Sequence, residues 1–192
     1  SAFSQQLLFA MTDVPTVTVS TTISTHDLPD KCIEAVQRIF PDFQSDLEFV
    51  TEEFPIKRET IKVTDKAVST DFFLELISEQ RILDTALDAM SLNMTCEAQG
   101  RETLFTTDFL ISRQAALMQK VAFVLDSERT VGGVIEVTMQ SPDLPVWMQE
   151  ATWHPGRREI PRSVGDDLGM HSDGTVAEWF DKKGRATIQT DE

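Results

Sequence analysis

The sequence predicts an α+β domain: a mainly antiparallel sheet with helices packed on one face. Three observations point there. Runs with a period of two come in neighbouring pairs split by glycine: Met94–Gln99 and Leu104–Thr106 around Gly100, then Val121–Leu125 and Ile135–Met139 around Gly132-Gly133. One long amphipathic stripe, from Phe73 to Met90, is helical in spacing. The predicted order is β-α-β-β-α-β-β-(α)-β-β-α. Paired strands dominate it, with helices inserted rather than strictly alternating.

Each element has a local cause. Val17, Val19, Thr21 and Ile23 alternate with Thr and Ser, which predicts a half-buried first strand. Asp27 and Pro29 open a helix, since proline in the first turn sacrifices no hydrogen bond. Cys32, Ile33, Val36, Ile39 and Phe40 form its apolar face, and Pro41 stops it. Leu47 and Phe49 mark a second strand, Ile61 and Val63 a third. Ser69, Thr70 or Asp71 can cap the next helix. Phe73, Leu76, Ile77, Leu83, Leu87 and Met90 make its buried stripe, which slips at Ser78–Gln80 and allows a kink or two consecutive helices. Met94, Cys96 and Ala98 form the inward side of a strand that Gly100 turns into its partner. Ser112 begins a short helical turn through Met118. Val121, Phe123 and Leu125 follow as a strand, and the Gly132-Gly133 turn leads to the last one, at Ile135, Val137 and Met139. Leu144 to Trp153 reads as a closing helix anchored by Val146, Trp147 and Ala151.

At 192 residues the chain fits one ordinary domain with tails. Residues 1–13 are expected to be a flexible extension, with Met11 a candidate start, residues 14–154 the domain, and 155–192 a flexible tail dispensable for folding. Val176, Trp179 and Phe180 are that tail's compact apolar cluster and its candidate motif for a protein partner. The net charge of −15 sits mainly in residues 1–154, and a field of that sign repels phosphate backbones at long range. Two cysteines, Cys32 and Cys96, make no disulfide framework; both are expected to be buried thiols in a cytoplasmic protein. No apolar run approaches the roughly 18 residues needed to span a membrane.

The chemistry-bearing residues are sparse. His26, His154 and His171 lack ligand spacing, and Asp84 and Asp88 read as a solvated or salt-bridged helix face. Gly132-Gly133 is a hairpin turn rather than a phosphate cradle. No serine or cysteine has the context of an activated nucleophile. No enzymatic role, metal or cofactor is expected. The basic set remains: Arg81, Arg101, Arg113 and Lys120 as phosphate contacts, Gln114 as a reader of base edges, and Lys57, Arg58, Lys62 and Lys66 near the third strand. The chain has no tyrosine, and most of its phenylalanines fall at core positions, which leaves little for a stacking platform.

The strings SEQRILDTALDAM, FTTDFLISRQAALMQKVAFVLD and GGVIEV, with RIFPDF earlier, resemble a small family of uncharacterised archaeal proteins over roughly residues 14–154. The resemblance implies a fold like the large-subunit ribosomal protein that binds 5S rRNA. It also implies a homodimer and a non-enzymatic role with structured RNA, linked to the exosome or ribosome. Gln80, Arg81, Asp84, Arg113 and Gln114 are the matching polar positions. Arg113 stands where that family usually has lysine. The alternative reading is a dimeric protein-interaction scaffold without nucleic-acid contact.

Overall fold

A computed structural model of the chain describes residues 13–45, 59–126, 128, 130–162 and 164. Among these, six strands form one antiparallel sheet, with five α-helices and a 3-10 turn. The strands are β1 (Thr16–Ile23), β2 (Ile61–Lys66), β3 (Thr95–Gln99), β4 (Glu102–Ser112), β5 (Phe123–Val124) and β6 (Val134–Ser141). The helices are α1 (Pro29–Ile39), α2 (Asp71–Glu79), α3 (Leu83–Leu92), α4 (Arg113–Leu117) and α5 (Leu144–Ala151). The sheet order is β2-β1-β6-β4-β3, with β5 beside the far end of β4.

Register decides which face is buried, because paired residues project to the same side. Val19 pairs Val137, which pairs Phe109; Thr21 pairs Val63 and Ile135, and Ile135 pairs Ile111. All of these are buried, so one face of the central strands carries the core and the helices cover it. The opposite face is polar. There Ser20 donates to the Glu136 carboxylate at 3.0 Å, and Lys62 pairs with the same carboxylate across β2, β1 and β6. Burial raises the Glu136 pKa, but the Lys62 and Ser20 bonds outweigh it and hold the carboxyl below its ordinary range.

Helix α1 begins on Pro29 as expected, and its end at Phe40 precedes Pro41. The expected slip at Ser78–Gln80 is a true break: the stripe divides into α2 and α3. Thr70 is the N-cap residue of α2 but makes no side-chain cap, while the neighbouring Ser69 hydroxyl accepts from Asp71 N–H at 3.2 Å. Phe73, Leu76 and Ile77 are buried in α2, as are Ala86, Leu87 and Met90 in α3. Leu83, expected in the buried stripe, is only half-buried because it opens α3.

Three further expectations are corrected. Cys32 is a buried free thiol, but Cys96 is exposed, since every residue of β3 is exposed on a hairpin that extends past the helical layer. Val146 is half exposed, so α5 keeps Trp147 as an expected anchor and is otherwise anchored by Leu144 and Met148. Only Phe123 and Val124 pair as β5, and Leu125 is exposed. The strand expected at Leu47 and Phe49, and the Val176–Phe180 cluster, lie outside the described residues.

Ordered packing continues past the expected boundary at 154. Pro155–Arg158 forms a 3-10 turn, and Arg157 is buried. Its guanidinium donates to Asp84 Oδ1 at 2.9 and 3.1 Å, to Thr152 Oγ1 at 3.1 Å and to the Gln149 carbonyl at 3.1 Å. His154 Nε2 lies 2.9 Å from the other Asp84 oxygen, and Arg162 pairs with Asp88 at 2.8 Å. The two carboxylates of α3 are thus the salt-bridged helix face expected from their spacing, and their partners come from residues 154–162. Arg157→Ala is expected to cost about 1–3 kcal/mol. That is below a fully buried pair because Asp84 is partly exposed and can rehydrate. Urea unfolding of the full chain measures it. A truncation after Pro155 removes the same contact and should lower the thermal midpoint rather than leave it unchanged.

Candidate functional site

The five polar residues selected from the sequence do not converge. Arg113 is corrected first. Its side chain is 5% exposed and serves the fold. Nε donates to the Gly132 carbonyl at 2.7 Å, Nη1 to Thr21 Oγ1 at 3.0 Å and to the Thr22 carbonyl at 2.8 Å, and Nη2 to Asp27 Oδ2 at 2.8 Å. The guanidinium therefore ties β1, the turn before α1 and the turn before β6 to the start of α4. Four of its five N–H donors are used within the fold, and the buried side chain does not present itself to a phosphate in solution. Burial raises the Asp27 pKa, yet the bonds from Ser24 N–H and Arg113 outweigh it and hold the carboxyl below its ordinary range. Gly133 makes the arrangement possible: it has φ +80°, and a Cβ there would lie 2.5 Å from Arg113 Nη2.

Arg101 is exposed at the tip of the β3–β4 hairpin. The eleven residues of β4 separate it from α4, roughly 35 Å at the rise of an extended strand. It cannot share a compact site with the others. Gln114 is exposed on α4 beside the Gly132 turn.

Arg81 and Lys120 belong to two turns that meet, Gln80 bonding Val121, and the backbone explains how. Helix α2 ends with Ile82 N–H on the Ile77 carbonyl and Arg81 N–H on that of Ser78. Helix α4 ends the same way, with Lys120 N–H on the Ala115 carbonyl and Gln119 N–H on that of Ala116. Both are Schellman C-caps, in which the residue after the cap adopts a left-handed conformation that glycine usually supplies. Here Arg81 (φ 58°) and Gln119 (φ 56°) supply it. Left-handed backbone costs a side-chain-bearing residue roughly 1–2 kcal/mol.

Gln80 locks the two caps against each other. Its Nε2 donates to the Val121 carbonyl at 3.0 Å, and Val121 N–H donates to its Oε1 at 2.7 Å. Arg81, Gln119 and Lys120 are all exposed at this corner. Among the described residues neither Arg81 nor Lys120 pairs with a carboxylate. Lys31, Arg38, Lys62, Arg113, Arg157 and Arg162 all do. A cation just past a helix C-terminus is favoured by the helix dipole. That accounts for the charge but not for the strained backbone that carries it. Beside the corner, Asp71, Leu74, Glu75, Ser78 and Glu79 of α2 line an open groove of about 590 Å³. Its carboxylates repel anions from that side.

Gln80 was singled out in the sequence only through the resemblance, and Gln119 not at all. Nothing in a residue string marks a non-glycine left-handed cap. Among the described residues no group of three or more His, Cys, Asp or Glu gathers to hold a metal, and no helix is long and apolar enough to cross a membrane.

No protein-family model matches the chain. It is 28% identical over 141 residues to a UPF0200/UPF0201 protein of Archaeoglobus fulgidus, a match covering 73% of this chain and 38% of that protein. The chain thus spans about two fifths of the length of the curated relative it matches. The crystal structure of a UPF0201 protein from Methanococcus jannaschii aligns with a TM-score of 0.54 at 23% identity, covering 73% of this chain and 96% of that one. A second structure, of an uncharacterized UPF0201 protein, is 26% identical, with a TM-score of 0.46 over 64% of this chain and 80% of that one. The chain is therefore similar to archaeal UPF0201 proteins, and the Methanococcus likeness shows that this protein shares its α+β fold.

Proposed function

We propose that this is a non-enzymatic RNA-associated protein that contacts phosphate at the Arg81–Lys120 corner. One observation carries the reading: on a chain with 32 Asp/Glu against 17 Lys/Arg, two exposed cations with no carboxylate partner among the described residues stand in two helix C-caps that Gln80 clamps together. Strained backbone of this kind persists where the surrounding structure enforces it and often marks a functional position. The acidic body suppresses weak nonspecific contact, while the corner acts at short range, within the roughly 8–10 Å over which salt leaves charge unscreened. The expected ligand is a structured RNA that presents phosphate to the corner.

Arg81→Gly tests this with two opposed readouts. Glycine relieves the left-handed strain but adds unfolded-state freedom, so stability should stay level or rise by up to about 1 kcal/mol. Affinity for a cellular RNA fraction should fall, and the slope of log affinity against log salt should drop by about one for a lost phosphate contact. Lys120→Gln should repeat the binding loss at unchanged stability. Binding equal to wild type in both variants would remove the corner from the interface.

A second reading, a dimeric protein-interaction scaffold, is favoured by the β3 edge. All five residues from Thr95 to Gln99 are exposed and, among the described residues, pair only with β4, and no lysine or proline blunts the strand. Sedimentation over a range of protein concentrations tests it, since a self-pairing edge gives a concentration-dependent mass.

A further inference from the structure

We infer a single-strand stacking site at Trp153 and Arg158, separate from the corner and resting on the RNA reading above. Aromatic platforms for bases were not evident in the sequence, because the phenylalanines lie in the core and tyrosine is absent. The fold supplies one where α5 ends. Trp153 follows Thr152, the C-cap residue of α5, and is 38% exposed. The Arg158 guanidinium carbon lies 5.5 Å from the centroid of its ring. Arg158 is itself exposed.

The intervening turn fixes this pair. Arg157 N–H bonds the His154 carbonyl at 3.1 Å, and Glu159 N–H bonds that of Gly156 at 3.2 Å. Below them, Arg157 and His154 both grip Asp84. The neighbouring arginines Arg157 and Arg162 are committed to Asp84 and Asp88, so Arg158 is the one that faces solvent. An exposed indole with a guanidinium within cation–π reach provides the groups that hold unstacked bases: an aromatic face or an arginine, with positive charge available to the following phosphate. Because the turn is held in place from beneath, little side-chain freedom is lost on binding. The occupant is an unpaired nucleobase of RNA, with purines preferred for their larger stacking area. Such a base could sit beside a structured element whose phosphates meet the Arg81–Lys120 corner.

The test uses the full chain and a fluorescently labelled single-stranded oligoadenylate, read by anisotropy, with an abasic strand of equal length as a charge-matched probe. Wild type should prefer oligoadenylate to the abasic strand. Trp153→Ala should weaken oligoadenylate binding roughly ten-fold or more, in the range seen for loss of one base–aromatic stack, and abolish that preference. Trp153→Phe should keep most of it. Arg158→Gln should weaken binding without touching the α5 packing, which covers the case where Trp153→Ala perturbs folding. Equal affinity of wild type and both Trp153→Ala and Arg158→Gln would overturn the site. So would wild type binding both strands alike, or neither; the exposed Trp–Arg pair would then fit a protein contact instead. Arg81→Gly and Lys120→Gln separate the two sites. If they leave both oligoadenylate and cellular RNA binding intact while the Trp153 variants lose oligoadenylate, the stacking site stands and the corner reading fails.

Discussion

Arg113→Ala should destabilise the protein by about 3–5 kcal/mol, the cost typical of breaking one side of a buried ion pair. The change leaves the Thr21 hydroxyl, the Thr22 and Gly132 carbonyls and the Asp27 carboxylate without their shared donor. Arg113→Lys should recover little, because an ammonium cannot span four acceptors arranged for a planar fork. Gly133→Ala should be costly for the same reason: its new methyl would displace the guanidinium. The two changes should therefore be strongly non-additive in a double-mutant cycle, since the second removes what the first has already lost. Acid should act through the same contact. Asp27 has a lowered pKa in the folded state. Its contribution is present above the ordinary carboxylate value of about 4 and is lost as pH falls through the lower folded one. Urea unfolding of wild type at neutral pH and near pH 3 should show that loss, and Arg113→Ala should show less of it. A cost below about 1 kcal/mol for Arg113→Ala would mean that water replaces the guanidinium without penalty, and that the network does not organise this end of the sheet.

That network was the least legible part of the molecule. In the string, Arg113 reads as one more surface cation at the start of a polar helical turn. Its burial depends on acceptors from positions 21, 22, 27 and 132, which only the sheet order brings together. Strand and helix identities depended on nearer neighbours and were readable. Val17 to Ile23 and Ile135 to Met139 alternate as a one-face-buried strand must, and Ser78–Gln80 broke its stripe where two helices meet. What local periodicity could not report was how far the helical layer reaches. Cys96 and Ala98 have the alternation of a core strand, but β3 runs beyond the helices that would bury it. Val146 lies off the buried side of α5, which is Leu144, Trp147 and Met148, and Leu125 lies past the end of β5, so both are exposed. The site divides in the same way. Arg81 and Lys120 were visible as charges, and the link between their turns comes from Gln80, whose side chain bridges a gap of 41 residues. Residues 155–162 were assigned to a tail because they lack apolar repeats, yet they are held by arginine–carboxylate pairs, which no hydrophobic pattern records.

Phe73→Ala is the second substitution expected to cost about 3–5 kcal/mol, the range for deleting a buried aromatic side chain. The Phe73 ring is fully buried, with ring centroids 5.6 Å from Phe40, 6.0 Å from Phe109 and 6.4 Å from Phe123. Those partners sit at the end of α1, in β4 and in β5, so one ring in α2 joins four elements. Two contacts are offset stacks and one is edge-on, geometries that add about 0.5–1.5 kcal/mol per pair beyond area. Removing the ring leaves a void that the sheet cannot close, because Phe109 is fixed by its pairing with Val137. Phe73→Leu keeps most of the volume and should cost less than half as much. Cα positions in the sheet should not shift, so the denaturant slope should stay constant while the midpoint falls. The consequence reaches the proposed site through α2 itself. Loosening Phe73 frees the helix whose C-cap carries Arg81, so binding at the corner should weaken in Phe73→Leu even under conditions where the protein stays folded. Wild-type RNA affinity in a folded Phe73→Leu variant would show that the Gln80 clamp alone holds the corner.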